Sequence, residues 1–216
     1  MNTAKAAVET PARSARTAKQ ERSQKREAQI LAAAVKVFAR DGIALARVSD
    51  IAEEAKVPIS SIYDYFQTKE ELAYIVPVAT FGEFFEEYER QSRRLRTAHD
   101  RLRKILILST EFAEKNPDWA RVLYLEVWPS VMVKDSRVRF AIDRYARMVV
   151  ELIKEGAAGG EWPEHEDNYQ LATIMVGAIG QTTITWLLYG RPKRISKGIV
   201  PVVDRLMQLI RLPAKS

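Results

Sequence analysis

There is no cysteine among the 216 residues. Disulfides, thiolate nucleophiles and cysteine metal sites are therefore excluded. Histidine is nearly absent too: His99 and His165 lie far apart, and each is expected on the surface or at a helix end. Metal sites need clustered ligands, so neither a metal nor another cofactor is expected. An enzyme would need a nucleophile beside a base, or grouped carboxylates; no such constellation is visible, and none is expected. No apolar run approaches the roughly 20 residues that span a bilayer. No apolar signal segment opens the sequence. A cytoplasmic location without a membrane partner is the resulting expectation. Strand-like alternation and internal repeats are also missing, which leaves an all-α chain.

What is present is a core-forming composition, 47% hydrophobic and 29% charged, enough for one large or two small domains. The net charge of +6 is unevenly placed: residues 1–26 hold seven bases against Glu9 and Glu21. That stretch is rich in Ser, Thr and Ala and has no aromatic residue, so a flexible basic arm is expected over 1–22. It reads either as a solubilising tail or as an arm that follows phosphates or enters a minor groove.

Helical periodicity organises the rest into about nine helices. The first spans about Ser23 to Arg40, with Ile30, Ala34, Val37 and Phe38 on one face, Ser23 as cap and Gly42 as the left-handed stop. Short helices follow at Val48–Ala55 and from Pro58. The fourth starts at Thr68, whose spacing to Glu71 is that of a capping box, and runs to about Arg96 with Pro77 inside it. Pro77 predicts a kink, serving either as a pivot or as a static fit to the core. Further helices are expected over about 98–115, 117–127, 129–156 (with a break near Lys134–Ser136), 164–189 and 199–212. Asn116 and Asp118 flank Pro117 as a stop-and-start signal.

The most informative stretch is Ala44 to Leu72, two short helices joined by a tight turn and followed by Lys69. Such a unit can lay its second helix in a DNA groove. Ile62 and Phe66 turn inward, which leaves Ile59, Ser60, Ser61, Tyr63 and Tyr65 on or near the outer side. Tyr63 and Tyr65 can reach phosphates with their hydroxyls. Lys69 stands where a cation and free helix N–H groups both favour a phosphate oxygen. Ser60 and Ser61 are small enough for a deep approach to base edges, and Ile59 can meet a thymine methyl. Arg47, Ser49, Lys56 and Pro58 complete the expected DNA face.

The series Ile30, Ala33, Ala34, Phe38, Gly42, Val48, Asp50-Ile51-Ala52, Ala55, Val57, Tyr63, Phe66, Lys69 and Leu72 resembles the N-terminal domain of tetracycline-repressor-like (TetR-family) regulators. The likeness covers about residues 24–73. Arg47 stands where the family often has Thr, Lys56 replaces the common turn Gly, and Tyr65 stands where His is frequent. The resemblance implies an all-helical homodimer, usually a repressor, that binds double-stranded DNA at a palindromic operator. A small-molecule effector in the C-terminal domain would release it. The implied organisation is a basic arm over 1–22, a helix-turn-helix domain over 23–70, and a ligand-binding and dimerisation domain over 71–216.

The resemblance also places an effector pocket and a four-helix dimer interface in the C-terminal half. Phe81, Phe85, Phe112, Tyr124, Trp128, Tyr145, Met148, Gln181 and Trp186 are the expected ligand contacts, pointing to a largely apolar effector, an aromatic compound or an acyl thioester. Arg121, Arg144 or Arg147 would meet the phosphates of a thioester. Gln181 stands out because its amide cannot be satisfied within its own helix, whereas a mid-helix Thr can bond its i−4 carbonyl. Gly177, Gly180, Val202, Leu206 and Leu209 are the expected dimer contacts. The alternative is a DNA-bound adaptor of the same fold, controlled by a protein partner.

Overall fold

A computed structural model describes residues 11–130 and 136–212. Among the described residues all regular structure is helical. The first helix, α1 (Pro11–Asp41), begins well before Ser23. Residues 11–22 are dominated by Ala, Arg, Lys, Gln and Glu, strong helix formers with nothing to break them after Pro11 at the first turn. Ser23 consequently sits inside the helix and caps nothing; its hydroxyl lies 3.1 Å from that of Tyr65. The part of the basic arm before Pro11 lies outside the described residues. Gly42 ends the helix at φ +76°, with its N–H donating to Phe38 O at 2.9 Å.

Three helices follow in close order: α2 (Val48–Ala55), α3 (Ile59–Tyr63) and α4 (Lys69–Ser92). Thr68 caps α4 by accepting from the Glu71 N–H at 3.0 Å. The return bond of the expected capping box is shifted by one residue, because Glu71 accepts from the Gln67 N–H at 2.7 Å. α4 passes through the buried Pro77 without interruption.

The turn between α2 and α3 carries strain. Lys56 has φ 54°, the only non-glycine residue with positive φ among the described residues. A Cβ in the left-handed region costs roughly 1–2 kcal/mol, and glycine removes that cost at some loss of chain entropy. Lys56→Gly is expected to stabilise the domain by about 1 kcal/mol, read as a higher urea midpoint at unchanged m. Its DNA affinity should fall by the loss of one exposed cation.

The C-terminal domain adds α5 (Ala98–Lys115), α6 (Pro117–Arg121), α7 (Ser136–Ala158), α8 (Asn168–Tyr189), α9 (Ile195–Gly198) and α10 (Val200–Leu209). α6 runs directly into a π-helical turn, Val122–Val127. The break expected near Lys134–Ser136 lies largely outside the described residues. Asn116 does not cap α6 with its side chain; its amide donates back to Phe112 O at 3.0 Å. α8 starts at Asn168 rather than Glu164, where the Asp167 carboxylate accepts from the Gln170 N–H at 2.8 Å.

Two cores result. One lies within α1–α4 around Phe38, Ile51, Ile62, Phe66 and Leu72, and is sealed by Val122, Val127 and Val138 from beyond α4. The other joins α4, α5, α7, α8 and α10 around Phe84, Leu106, Ile153, Met175 and Leu206. α8 corrects one expectation: at 22 residues it is long and apolar enough, by length and composition alone, to cross a membrane. It is packed against α5, α7 and the π turn, yet only 28% of its apolar stretch is buried.

Candidate functional site

The outer side of α1–α4 is built as the sequence suggests. Ile59, Ser60 and Tyr63 project from α3 into solvent, and Arg47, Ser49, Lys56 and Pro58 flank them. Ser61 and Tyr65 are half-buried. Tyr65 is held against α1 by Ser23, on the same stretch that presents Lys19, Lys25 and Arg26 as exposed cations. The face is thus a small-residue helix ringed by hydroxyls and positive charge, suited to a groove edged by phosphates.

Lys69 is tied down more than expected. Its ammonium donates to Ala44 O and Ala46 O, both at 3.1 Å, and so clamps the loop that leads into α2. A lysine carries three donors, so one N–H is left for a phosphate.

In the C-terminal domain a cavity of about 430 Å³ opens between α4, α6 with its π turn, α7 and α8. Phe81, Phe84, Trp119, Leu123, Tyr124 and Tyr145 form much of its wall. Phe81 and Phe84 meet their neighbours edge-on: Phe81 against Trp119 at 5.4 Å, Phe84 against Tyr145 at 5.7 Å. Trp128, Asp143, Tyr169, Thr173, Gly177 and Gln181 also line it and are exposed, so they form its rim. Burial pushes the Tyr124 phenol up to about 12, against the opposing effect of Thr183. Burial also raises Tyr145 strongly, with the nearby Ser109 hydroxyl opposing. Both phenols stay protonated at neutral pH, so the wall is uncharged. The Tyr145 hydroxyl is buried and has no hydrogen-bond partner among the described residues; the Ser109 hydroxyl nearby donates to Leu106 O at 2.8 Å.

Of the expected ligand residues, Phe81, Tyr124, Trp128, Tyr145 and Gln181 surround this cavity. The other four do not line it. Phe85 is turned behind Phe81 and lies under the Arg144 guanidinium, 3.9 Å from its ring centroid. Phe112 packs behind Phe84 and Trp119. Met148 faces a separate hollow of about 620 Å³ with Arg101, Arg144 and Arg147. Trp186 packs on the core edge. Gln181 is exposed rather than buried, so water can satisfy its amide. Thr182, Thr183 and Thr185 bond their i−4 carbonyls at 2.7–2.9 Å.

The expected dimer residues split likewise. Leu206 is 6% exposed and belongs to the protomer's own core, whereas Leu209 is 50% exposed. Val202 is half-buried. Gly180 faces the cavity, 3.6 Å from Tyr124 at its Cβ position. Gly177 is open. Leu206 and Leu209 stand only about 60° apart around α10 at 100° per residue, so periodicity did not separate core from outside there, and α8, apolar nearly all round, gave no phase at all.

Sequence reasoning passed over Glu126. From the π turn, its carboxylate accepts from the Ile43 N–H at 3.0 Å, just beyond α1. It also lies 3.4 Å from where a Gly42 Cβ would stand. Val122 and Val127 of the same turn pack in the N-terminal core and Leu123 in the C-terminal one, while Tyr124 faces the cavity. One surplus residue in the turn sends neighbouring side chains to both domains, as π bulges at functional sites do.

Bacterial regulatory proteins of the tetR family match residues 30–73. The C-terminal region of YsiA-like proteins matches residues 79–208, more than half of the chain. The chain belongs to the TetR family. It is a transcription regulator of that family and not an enzyme. A relative, the fatty acid metabolism regulator protein of Bacillus subtilis (strain 168), is 28% identical over 160 residues, covering 74% of this chain and 82% of that one. The fold is shared with two solved TetR-family structures. FadR of Bacillus subtilis in complex with stearoyl-CoA has a TM-score of 0.77 at 24% identity, over 88% of this chain and 100% of that one. The fatty acid degradation regulator FadR of Bacillus halodurans has a TM-score of 0.80 at 23% identity, over 87% of this chain and 97% of that one.

Proposed function

We propose that the protein is a homodimeric repressor that leaves a palindromic operator when a fatty-acyl thioester enters the cavity. The observation that carries this reading is the cavity itself: about 430 Å³, walled mostly by aromatic and aliphatic side chains, with Asp143, Thr173 and Gln181 at the rim. That size and lining suit one largely apolar ligand, and each buried methylene adds about 0.8 kcal/mol. The printed descriptions of its relatives, a fatty acid metabolism regulator and a stearoyl-CoA complex, favour an acyl thioester over an unrelated aromatic compound. A protein-controlled adaptor of the same fold would have no use for such a cavity.

Dimerisation is supported by the outer side of α8. Gln170, Ile174, Gly177, Gln181, Thr185 and Leu188 are all exposed and fall within about 80° of one another at 100° per residue. Leu209 and Leu212 add exposed apolar surface at the end of the chain's last helix. Two recognition helices held this way would enter successive major grooves, about 34 Å apart.

Two contacts join α6 and its π turn, which supply part of the cavity wall, to α1–α4. Trp119 donates from its indole to Pro77 O at 3.4 Å, and Glu126 accepts from Ile43. A ligand that moves Trp119 or Tyr124 thereby acts on α4 and on the end of α1. Coupling requires a difference in effector affinity between the DNA-bound and free arrangements. Glu126→Ala is expected to narrow the ratio of effector affinities measured with and without operator, while Glu126→Gln, which still offers an oxygen to Ile43, keeps most of it. Anisotropy titrations of both variants would read this; an unchanged ratio in Glu126→Ala would confine the residue to packing.

The reading is tested by titrating acyl-CoAs of increasing chain length onto complexes with an operator selected from random duplexes. Release should strengthen with chain length until the cavity is filled, and Val176→Trp, which fills the cavity from α8, should shift the optimum to shorter chains. Release indifferent to chain length would contradict it.

A further inference from the structure

The rim of the cavity and the outer face of α8 overlap. On α8 the exposed residues that line the cavity are Tyr169, Thr173, Gly177 and Gln181. They recur every fourth position, so the rim winds across the helix through about 120°. Gly177 and Gln181 also belong to the exposed face that runs from Gln170 to Leu188. Thr173 lies about 40° from the edge of that face, which is about 4 Å around a helix of this diameter. The mouth therefore opens beside the face and partly onto it. A Cβ at Gly177 would meet nothing within 4 Å among the described residues, so the protomer itself leaves that point uncovered. From Asn168 to Tyr189, α8 has no charged residue. A face that packs on its own copy about a twofold axis meets the residues it presents, and an uncharged one does so without repulsion.

We propose that a second copy of this chain closes the cavity: its α8 lies across Gly177 and Gln181 and covers the α8 side of the mouth, so the effector site is complete only in the dimer. The inference rests on the dimer and acyl-ligand readings above and adds that the two are linked. Packed helices stand about 8–10 Å apart, and a helix about 10 Å wide centred on Gln181 reaches nearly to Thr173. The other edges of the mouth, Trp128 at the end of the π turn and Asp143 on α7, are left for the polar end of the ligand. Where the partner keeps water from about two methylenes of the ligand, affinity rises about tenfold per site. Linkage then makes the ligand tighten the dimer by the same factor for each site filled, about 100-fold for both.

Two measurements on the full chain test this. The chain has no cysteine, so Gln181→Cys supplies a single thiol at the rim. Its reaction with a charged thiol reagent, without ligand, is compared in the dimer and in a Leu188→Glu background. Leu188 lies on the exposed face and outside the cavity lining. The thiol is expected to react at least about tenfold more slowly in the dimer, where access is blocked. Stearoyl-CoA is then titrated onto the unaltered dimer, Leu188→Glu and Ile174→Glu, and the dimer dissociation constant is read by sedimentation with and without it. Both glutamate variants should bind about tenfold more weakly, and saturating stearoyl-CoA should lower the dimer dissociation constant about 100-fold. Equal thiol reactivity in dimer and monomer would overturn the closure, as would dimers that persist in both glutamate variants. Equal stearoyl-CoA affinity in dimer and monomers would overturn it and leave the acyl reading standing. A protected thiol in a dimer that binds no stearoyl-CoA would sink the acyl reading and keep the closure. An unaltered protein that is monomeric and binds phosphatidylcholine vesicles would make a bilayer the occupant of the face, and the closure would fall with the dimer.

Discussion

A glutamate at Ile174 or Leu188 is expected to convert the protein to monomers and to weaken operator binding by at least about 100-fold, the avidity lost when two linked half-site contacts become one. Both side chains are more than half exposed, at 51% and 57%, so neither change disturbs the protomer's own core. The fold and thermal midpoint of the monomer should therefore survive. Leu206 is the internal control. It is buried within its own domain, so Leu206→Asp should unfold that domain at a cost of about 4 kcal/mol instead of yielding a folded monomer. Analytical ultracentrifugation with circular dichroism separates the two outcomes. Intact dimers of both Ile174→Glu and Leu188→Glu would remove the α8 face from the interface.

The second large effect concerns the end of α7. A Cβ on Gly156 would lie 1.9 Å from Cζ2 of Trp162. That indole is buried and donates to Ile153 O at 2.9 Å, so it cannot swing away without leaving a buried donor unpaired. Gly156→Ala is expected to cost about 3 kcal/mol, at the upper end for overpacking by one carbon. Adding Trp162→Phe, which shortens the ring, should recover part of that loss, giving a non-additive double-mutant cycle by urea denaturation. Additive losses would mean that the two residues do not share the contact.

How far the sequence revealed this arrangement depended on how local the signal was. The N-terminal domain was legible because its determinants are nearest-neighbour chemistry: Gly42 at positive φ, Thr68 accepting from Glu71, and Ile62 and Phe66 turned into one core. The start of α1 was misplaced because Ser23 looks like a cap, while the helix formers before it carry no breaker until Pro11. The C-terminal site was half legible. Its aromatic residues were identifiable as a class, but Phe81 in the wall and Phe85 behind it differ only by rotation about α4. Leu206 and Leu209 were separable only by tertiary packing. The π turn has no local signature; within it Val122 and Val127 reach one core and Leu123 the other, a division visible only in the tertiary packing. Glu126 and Asp143 read as ordinary surface acids until their neighbours are seen.

The central claim is that the cavity and the DNA face are coupled, and linkage makes this a single comparison. Stearoyl-CoA affinity should be measured by calorimetry on the free dimer and again with saturating operator. Coupling of 1–3 kcal/mol, about 5- to 150-fold, is the usual range for such regulators. Binding is expected to be weaker by at least about tenfold in the presence of operator. Tight binding with the same affinity in both states would contradict the account, because a ligand with no preference between two states shifts neither.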